Sequence, residues 1–114
     1  MSPFDQPASK AILDKYLKQY TGTNPTLQIS YGWARADVMR QLLERACSAR
    51  DLTRQGLVKA RQSLAKVDTG GLAPVLDYST AGAPPTRESY IMRASDAPGG
   101  LVLAKGPYKG ADAT

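Results

Sequence analysis

Histidine is absent from this 114-residue chain, and cysteine occurs once, as Cys47. Without histidine there is no Ser-His or Cys-His nucleophile pair, and most zinc sites are excluded. A lone cysteine rules out an intrachain disulfide and any thiolate cluster around a metal. Within "LLERACSA" Cys47 reads as a small buried apolar residue. Also missing are a G-x-S-x-G elbow, a phosphate loop ending in Gly-Lys-Ser/Thr, and a G-x-G-x-x-G turn. No cofactor, metal or catalytic site is therefore expected, and the chain does not read as an enzyme.

Long hydrophobic runs are lacking too. No segment approaches the ~20 apolar residues of a membrane-spanning helix. The start, "MSPFDQPASK", has neither the basic nor the apolar region of a signal peptide. The chain thus reads as soluble as given, with no membrane insertion and no export signal, although such a signal could lie elsewhere in a larger protein. Asn24-Pro25-Thr26 is not a glycosylation acceptor, because proline fills the middle position.

The composition is 42% hydrophobic and 22% charged, close to that of ordinary globular domains, so a buried core is expected. The net charge of +5 raises nucleic-acid binding as a possibility. The distribution of charge argues against it. Arg35, Arg40, Arg45 and Arg50 recur at five-residue steps, so successive members point about 140° apart on a helix and form no stripe. Asp37 and Glu44 are interleaved, with Arg40 and Glu44 spaced as an i,i+4 pair. A solvated helix surface accounts for this pattern.

Periodicity predicts a first helix over 7–20, with Pro7 in its first turn, Ile12, Tyr16 and Tyr20 on one face, and Thr21-Gly22 ending it. A second helix is predicted over 33–49. Its Ala34, Val38, Met39, Leu42, Leu43, Ala46 and Cys47 make a continuous apolar stripe. A third helix over 53–67 follows, with Thr53 as N-cap and Leu57, Ala60, Leu64 and Val67 buried. After Gly70-Gly71 the period changes. "APVLDYS", "ESYIMRA" and "GLVLAK" read as three short strands, the last two forming a hairpin through "SDAPGG". The organisation is an α/β chain with a helical part (7–67), a strand part (72–105) and a flexible tail (106–114).

Three features bear on chemistry. "SLAK", Ser63 to Lys66, fits the S-x-x-K pattern of penicillin-interacting serine enzymes, but the S-D-N and K-T-G elements are absent. The two residues more simply share a solvated face of the third helix. Asp68, Asp77 and Glu88 sit at turns and strand ends, where carboxylates commonly cap. Tyr31 and Trp33, in "SYGWARAD", either anchor the start of the second helix or border a cleft.

Several segments together resemble the C-terminal portion of type I periplasmic solute-binding proteins. The likeness is to the branched-chain amino acid (Leu/Ile/Val) family of ABC transporters. "SKAILDKYLKQYTGTNPT" is similar to a late helix of that family, and "YGWARADVMRQLLERA" to the helix after it. "LTRQGLVKARQSLAKVDTGGLAPVLDYS" is the strongest likeness, and "RESYIMRAS" resembles the closing strand. Trp33, where the family usually has tyrosine, and the extension "SDAPGGLVLAKGPYKG" depart from the pattern.

The resemblance implies a fragment of a two-lobe fold. Residues up to about Thr86 would belong to the first lobe, and "RESYIMRA" would be a hinge strand crossing to the second. It further implies an extracytoplasmic parent that captures amino acids or related small polar solutes and docks on an ABC permease. Tyr31 and Trp33 would be ligand neighbours. With the rest of a lobe missing, the apolar stripe of the second helix would drive this chain into a homo-oligomer. A small helical interaction module is the alternative reading.

Overall fold

A computed structural model describes residues 1–111. Its elements run α1 (Pro7–Gln19), α2 (Gln28–Ser48), α3 (Arg54–Gln62), β1 (Glu88–Ala94) and β2 (Leu101–Lys109). Helix α2 packs against both α1 and α3, while the two strands pair with each other. Residues 112–114, the end of the expected tail, lie outside the described residues.

Helix α1 forms as expected. Proline stands in its first turn, where its missing N–H costs nothing. Helix α2 starts at Gln28 rather than Trp33. The backbone of Leu27 is already helical, and Ile29 N–H and Tyr31 N–H donate to the Thr26 and Leu27 carbonyls. No side chain caps this end and Gly32 interrupts the propensity, so the sequence carries no start signal there. At the other end Arg50 takes the left-handed conformation (φ 57°). Its N–H donates to Cys47 O and that of Asp51 to Ala46 O, the paired bonds of a Schellman ending.

Helix α3 has its predicted cap, the Thr53 hydroxyl accepting from Gly56 N–H at 3.1 Å. It stops at Gln62, five residues short of the expected Val67. Ser63 turns its hydroxyl back to Ala60 O at 2.7 Å, competing with the next helical bond. Leu64 and Val67 are buried as expected, but from a loop. The segment "APVLDYS" is likewise reduced from a strand to one antiparallel bridge, Val67 to Leu76. Between these partners Gly70 (φ 67°) and Gly71 (φ 90°) reverse the chain, and Pro74 has no N–H to extend the ladder. The Asp68 carboxylate accepts from Gly70 N–H (2.8 Å), and the Thr69 hydroxyl from Ala73 N–H (3.0 Å). The glycine-rich joint is a closed loop held by its own side chains.

The hairpin of β1 and β2 is present, in antiparallel register with Ile91 opposite Lys105 and Arg93 opposite Val102. Irregularities at Ser89–Met92 let β2 continue, so residues 106–109 of the expected tail are strand. Among the described residues the backbone of the hairpin approaches no helix closely. Leu103 N–H donates to both oxygens of the Asp5 carboxylate (3.2 and 3.1 Å), and Phe4 lies under Gly99.

Among the described residues the buried core includes two small clusters. Ile12, Ala34 and Leu72 form one, and Leu64, Val67 and Leu76 the other, with Val38, Leu42 and Tyr78 packed against it. The stripe of α2 is therefore split. Ala34, Val38, Leu42 and Ala46 face inward, whereas Met39 (52% exposed), Leu43 (43%) and Cys47 stand in solvent. The expected burial of Cys47 is corrected accordingly. The 64–78 loop covers one flank of α2, and no described element covers the other. The molecule measures 46 × 40 × 18 Å with a radius of gyration of 16.0 Å, against ~13 Å for a compact domain of similar length. It is a thin slab, not a closed globule.

Candidate functional site: a cleft between α2 and the first strand

Tyr31 lies in the first turn of α2 and Arg35 one turn further on. This i,i+4 spacing places the Arg35 guanidinium 4.6 Å from the Tyr31 ring centroid. Both line a cleft of about 580 Å³ with Ala34 and Val38 beneath them. Opposite stand Pro74, Leu76 and Tyr78 from the glycine-rich loop, and Glu88 and Tyr90 from the start of β1. The cleft thus spans the junction between the helical body and the strand that leaves it. Its volume falls in the ~300–1,000 Å³ range of small-molecule sites, and its walls mix apolar side chains with polar and charged ones. Burial, then the nearby Glu88 charge, raises the Tyr90 phenol above its ordinary pKa.

Trp33 is elsewhere. Two residues beyond Tyr31, it points roughly 200° away around the helix. It lines a separate groove of about 330 Å³ between α1 and α2, with the Lys15 ammonium 5.2 Å from its ring. Tyr16 and Tyr20 stack beside it at 4.7 Å. The two aromatics that the sequence pairs are therefore separated: Tyr31 borders the cleft, and Trp33 sits at the α1–α2 junction.

Ser63 ends α3 and Lys66 lies beyond it, so they do not share a helix face. Asp68 and Asp77 are turn residues as expected; the Asp77 carboxylate accepts from Ser79 N–H and hydroxyl. Arg40 bridges Asp37 (2.8 Å) and Glu44 (2.7 Å), the solvated pattern read from the sequence. Among the described residues no group of three or more potential metal-ligating side chains converges. No described helix is long and apolar enough to cross a membrane.

The places of Arg35 and Glu88 in this wall are not legible in the sequence. Arg35 was indistinguishable from the other arginines of α2, and Glu88 from a strand-end carboxylate. The usable signal was the i,i+4 spacing of Tyr31 and Arg35.

These features are those of a piece of the periplasmic-binding-protein fold: three helices, an antiparallel strand pair and a cleft where the strand departs. Among solved structures, the chain is similar to a fatty acid ABC transporter substrate-binding protein from Thermomonospora curvata. The identity is 31% and the TM-score 0.82, over 94% of this chain and 28% of that one. No family model and no curated protein matches the chain. The chain spans little more than a quarter of the length of the structure it matches.

Proposed function

We propose that this chain is the C-terminal portion of an ABC-transporter solute-binding protein, which captures a small molecule without turnover and presents it to a permease. The carrying observation is the likeness to a substrate-binding protein along 94% of the chain, at a TM-score of 0.82. The slab shape and the bare flank of α2 are consistent with a lobe whose remaining layers belong to other segments. In this reading the whole protein is extracytoplasmic, and Tyr31 takes part in the ligand wall. Trp33, away from that wall, supports the junction of α1 and α2. The ligand is an amino acid or related small polar solute. It shares a carboxylate with the fatty acids named for the Thermomonospora protein, and that common group is what the cleft is suited to hold.

A chimera tests the proposal. The matching 28% of the Thermomonospora protein is replaced by this chain, and solute binding is followed by calorimetry. A folded chimera that binds a carboxylate solute supports the reading. One that folds and binds neither amino acids nor fatty acids would falsify it. The second reading, an oligomerising interaction module, is favoured by the exposed Met39, Leu43 and Cys47. It predicts that the isolated chain self-associates while the chimera gains no ligand.

A further inference from the structure

The groove between α1 and α2 shares no lining residue with the cleft and stands apart from the solute reading. Two of its rings are only half covered: Trp33 is 47% exposed and Tyr20 49%. Tryptophan and tyrosine are enriched at protein interfaces and carry a large share of their binding energy. A glycine in the groove wall has no packing reason within the chain. Gly32 lies inside α2, where glycine is less favourable than alanine. Nothing stands within 4 Å of the place its Cβ would take. The chain itself would accept alanine there, whereas the missing Cβ leaves the helix backbone open to close approach from outside.

Charge gives the occupant its sign. Lys15, Gln19 and Gln28 line the groove, and no carboxylate does. Asp14, beside Lys15 in sequence, pairs with Lys10 at 3.0 Å, and Asp37, one turn beyond Trp33, pairs with Arg40 at 2.8 Å. Lys15 lies 5.2 Å from the Trp33 ring centroid and is in no ion pair among the described residues. Size then separates a free small molecule from a side chain. At about 330 Å³ the groove is at the low end of small-molecule sites, and its two main rings stand open to solvent. It has room for one ring, and a ring carried on a protein segment adds contacts along both helices.

We propose that this groove docks an acidic protein segment, which inserts one aromatic side chain over Gly32, beside Trp33 and Tyr20, and turns its carboxylates toward Lys15.

Trp33 is the single tryptophan of the chain, so its fluorescence reports on this groove alone. The full chain is titrated with acetyl-Asp-Glu-Phe-Glu-Asp-amide, with the same peptide carrying alanine for phenylalanine, and with acetyl-Lys-Lys-Phe-Lys-Lys-amide. The acidic phenylalanine peptide is expected to change Trp33 emission saturably, and the other two to bind at least tenfold more weakly. Lys15→Glu should abolish the response and Lys15→Arg keep it. Tyr20→Ala should weaken binding about tenfold, the loss of an interface anchor. Gly32→Ala separates docking from folding: it should raise the thermal unfolding midpoint by a few degrees and still bind the peptide about tenfold more weakly. No saturable change with the acidic peptide overturns the proposal, as does an equal response to the lysine peptide or full binding by Gly32→Ala. A Trp33 shift that grows with chain concentration alone would give the groove to a second copy, and also overturns it. The chimera supplies the last arm. Trp33 that acrylamide cannot quench there would mean that neighbouring segments fill the groove, which overturns the site. Trp33 that is quenched there and responds to the acidic peptide supports it, whether or not the chimera binds a solute.

Discussion

Arg50 carries the clearest single-residue cost in the chain. It occupies the left-handed position that closes α2, where side chains with a Cβ are disfavoured and glycine is usual. Arg50→Gly should stabilise the fold by about 1 kcal/mol, raising the midpoint of thermal unfolding by roughly 4–8 °C. An unchanged or lower midpoint would show that the arginine side chain compensates. Two aspartates near the surface act in the opposite direction. Thr53 hydroxyl and N–H donate to Asp51, and Ser79 hydroxyl and N–H to Asp77, and these bonds lower both carboxyl pKa values. A carboxyl with a depressed folded pKa stabilises above its ordinary pKa, and the contribution is lost as pH falls through the folded value. Unfolding midpoints measured from about pH 5 to about pH 2 should fall less steeply in Asp51→Asn and Asp77→Asn than in the parent chain. Slopes equal to that of the parent chain would show that neither bond matters.

At the scale of elements, the test is whether the hairpin is fixed to the helical body. A two-stranded hairpin is marginal alone, and among the described residues its backbone approaches no helix closely. Asp5, just before α1, holds it through the Leu103 amide. Asp5→Ala should therefore speed hydrogen exchange at Leu103 and along β2, while α2 amides keep their protection. Uniform acceleration in both would mean that the hairpin and helices unfold together. The same elements show what periodicity could reveal. Helix α1, the body of α2, the Thr53 cap and the hairpin were legible because each rests on local signals: a proline, a 3.6-residue stripe, a capping hydroxyl, a glycine-rich turn. The early start of α2 was not, since Leu27 offers no cap and Gly32 weakens the pattern. Leu64 and Val67 have helical spacing and are buried, yet tertiary pairing with Leu76 and Tyr78 draws them out of α3. Tyr31 was legible as a cleft-edge candidate; its separation from Trp33 required knowing the phase of α2.

For the molecule as a whole, thinness is the governing property. The small buried core leaves Met39, Leu43, Leu52 and Val58 more than 40% exposed, and apolar surface of this kind is costly to leave in water. The isolated chain is expected to form a dimer or larger assembly across micromolar concentrations, measured by light scattering. Replacing Met39 and Leu43 together by glutamate should shift it to the monomer while α-helical circular dichroism is retained. A parent chain that is monomeric throughout would show that the slab tolerates its bare flank. Either result bears on how the segment lives inside a longer protein, where that flank would meet neighbouring segments instead of a second copy.

Cys47 turns this question into a rate. It is the single thiol of the chain and stands in line with Met39 and Leu43 on the uncovered side of α2. Alkylation by a maleimide therefore acts as a clock for coverage of that ridge. Fast labelling marks the bare slab, and slow labelling marks a flank that has been enclosed. In the chimera the same sulfur would report whether the borrowed segments have closed over this helix, before any solute is added.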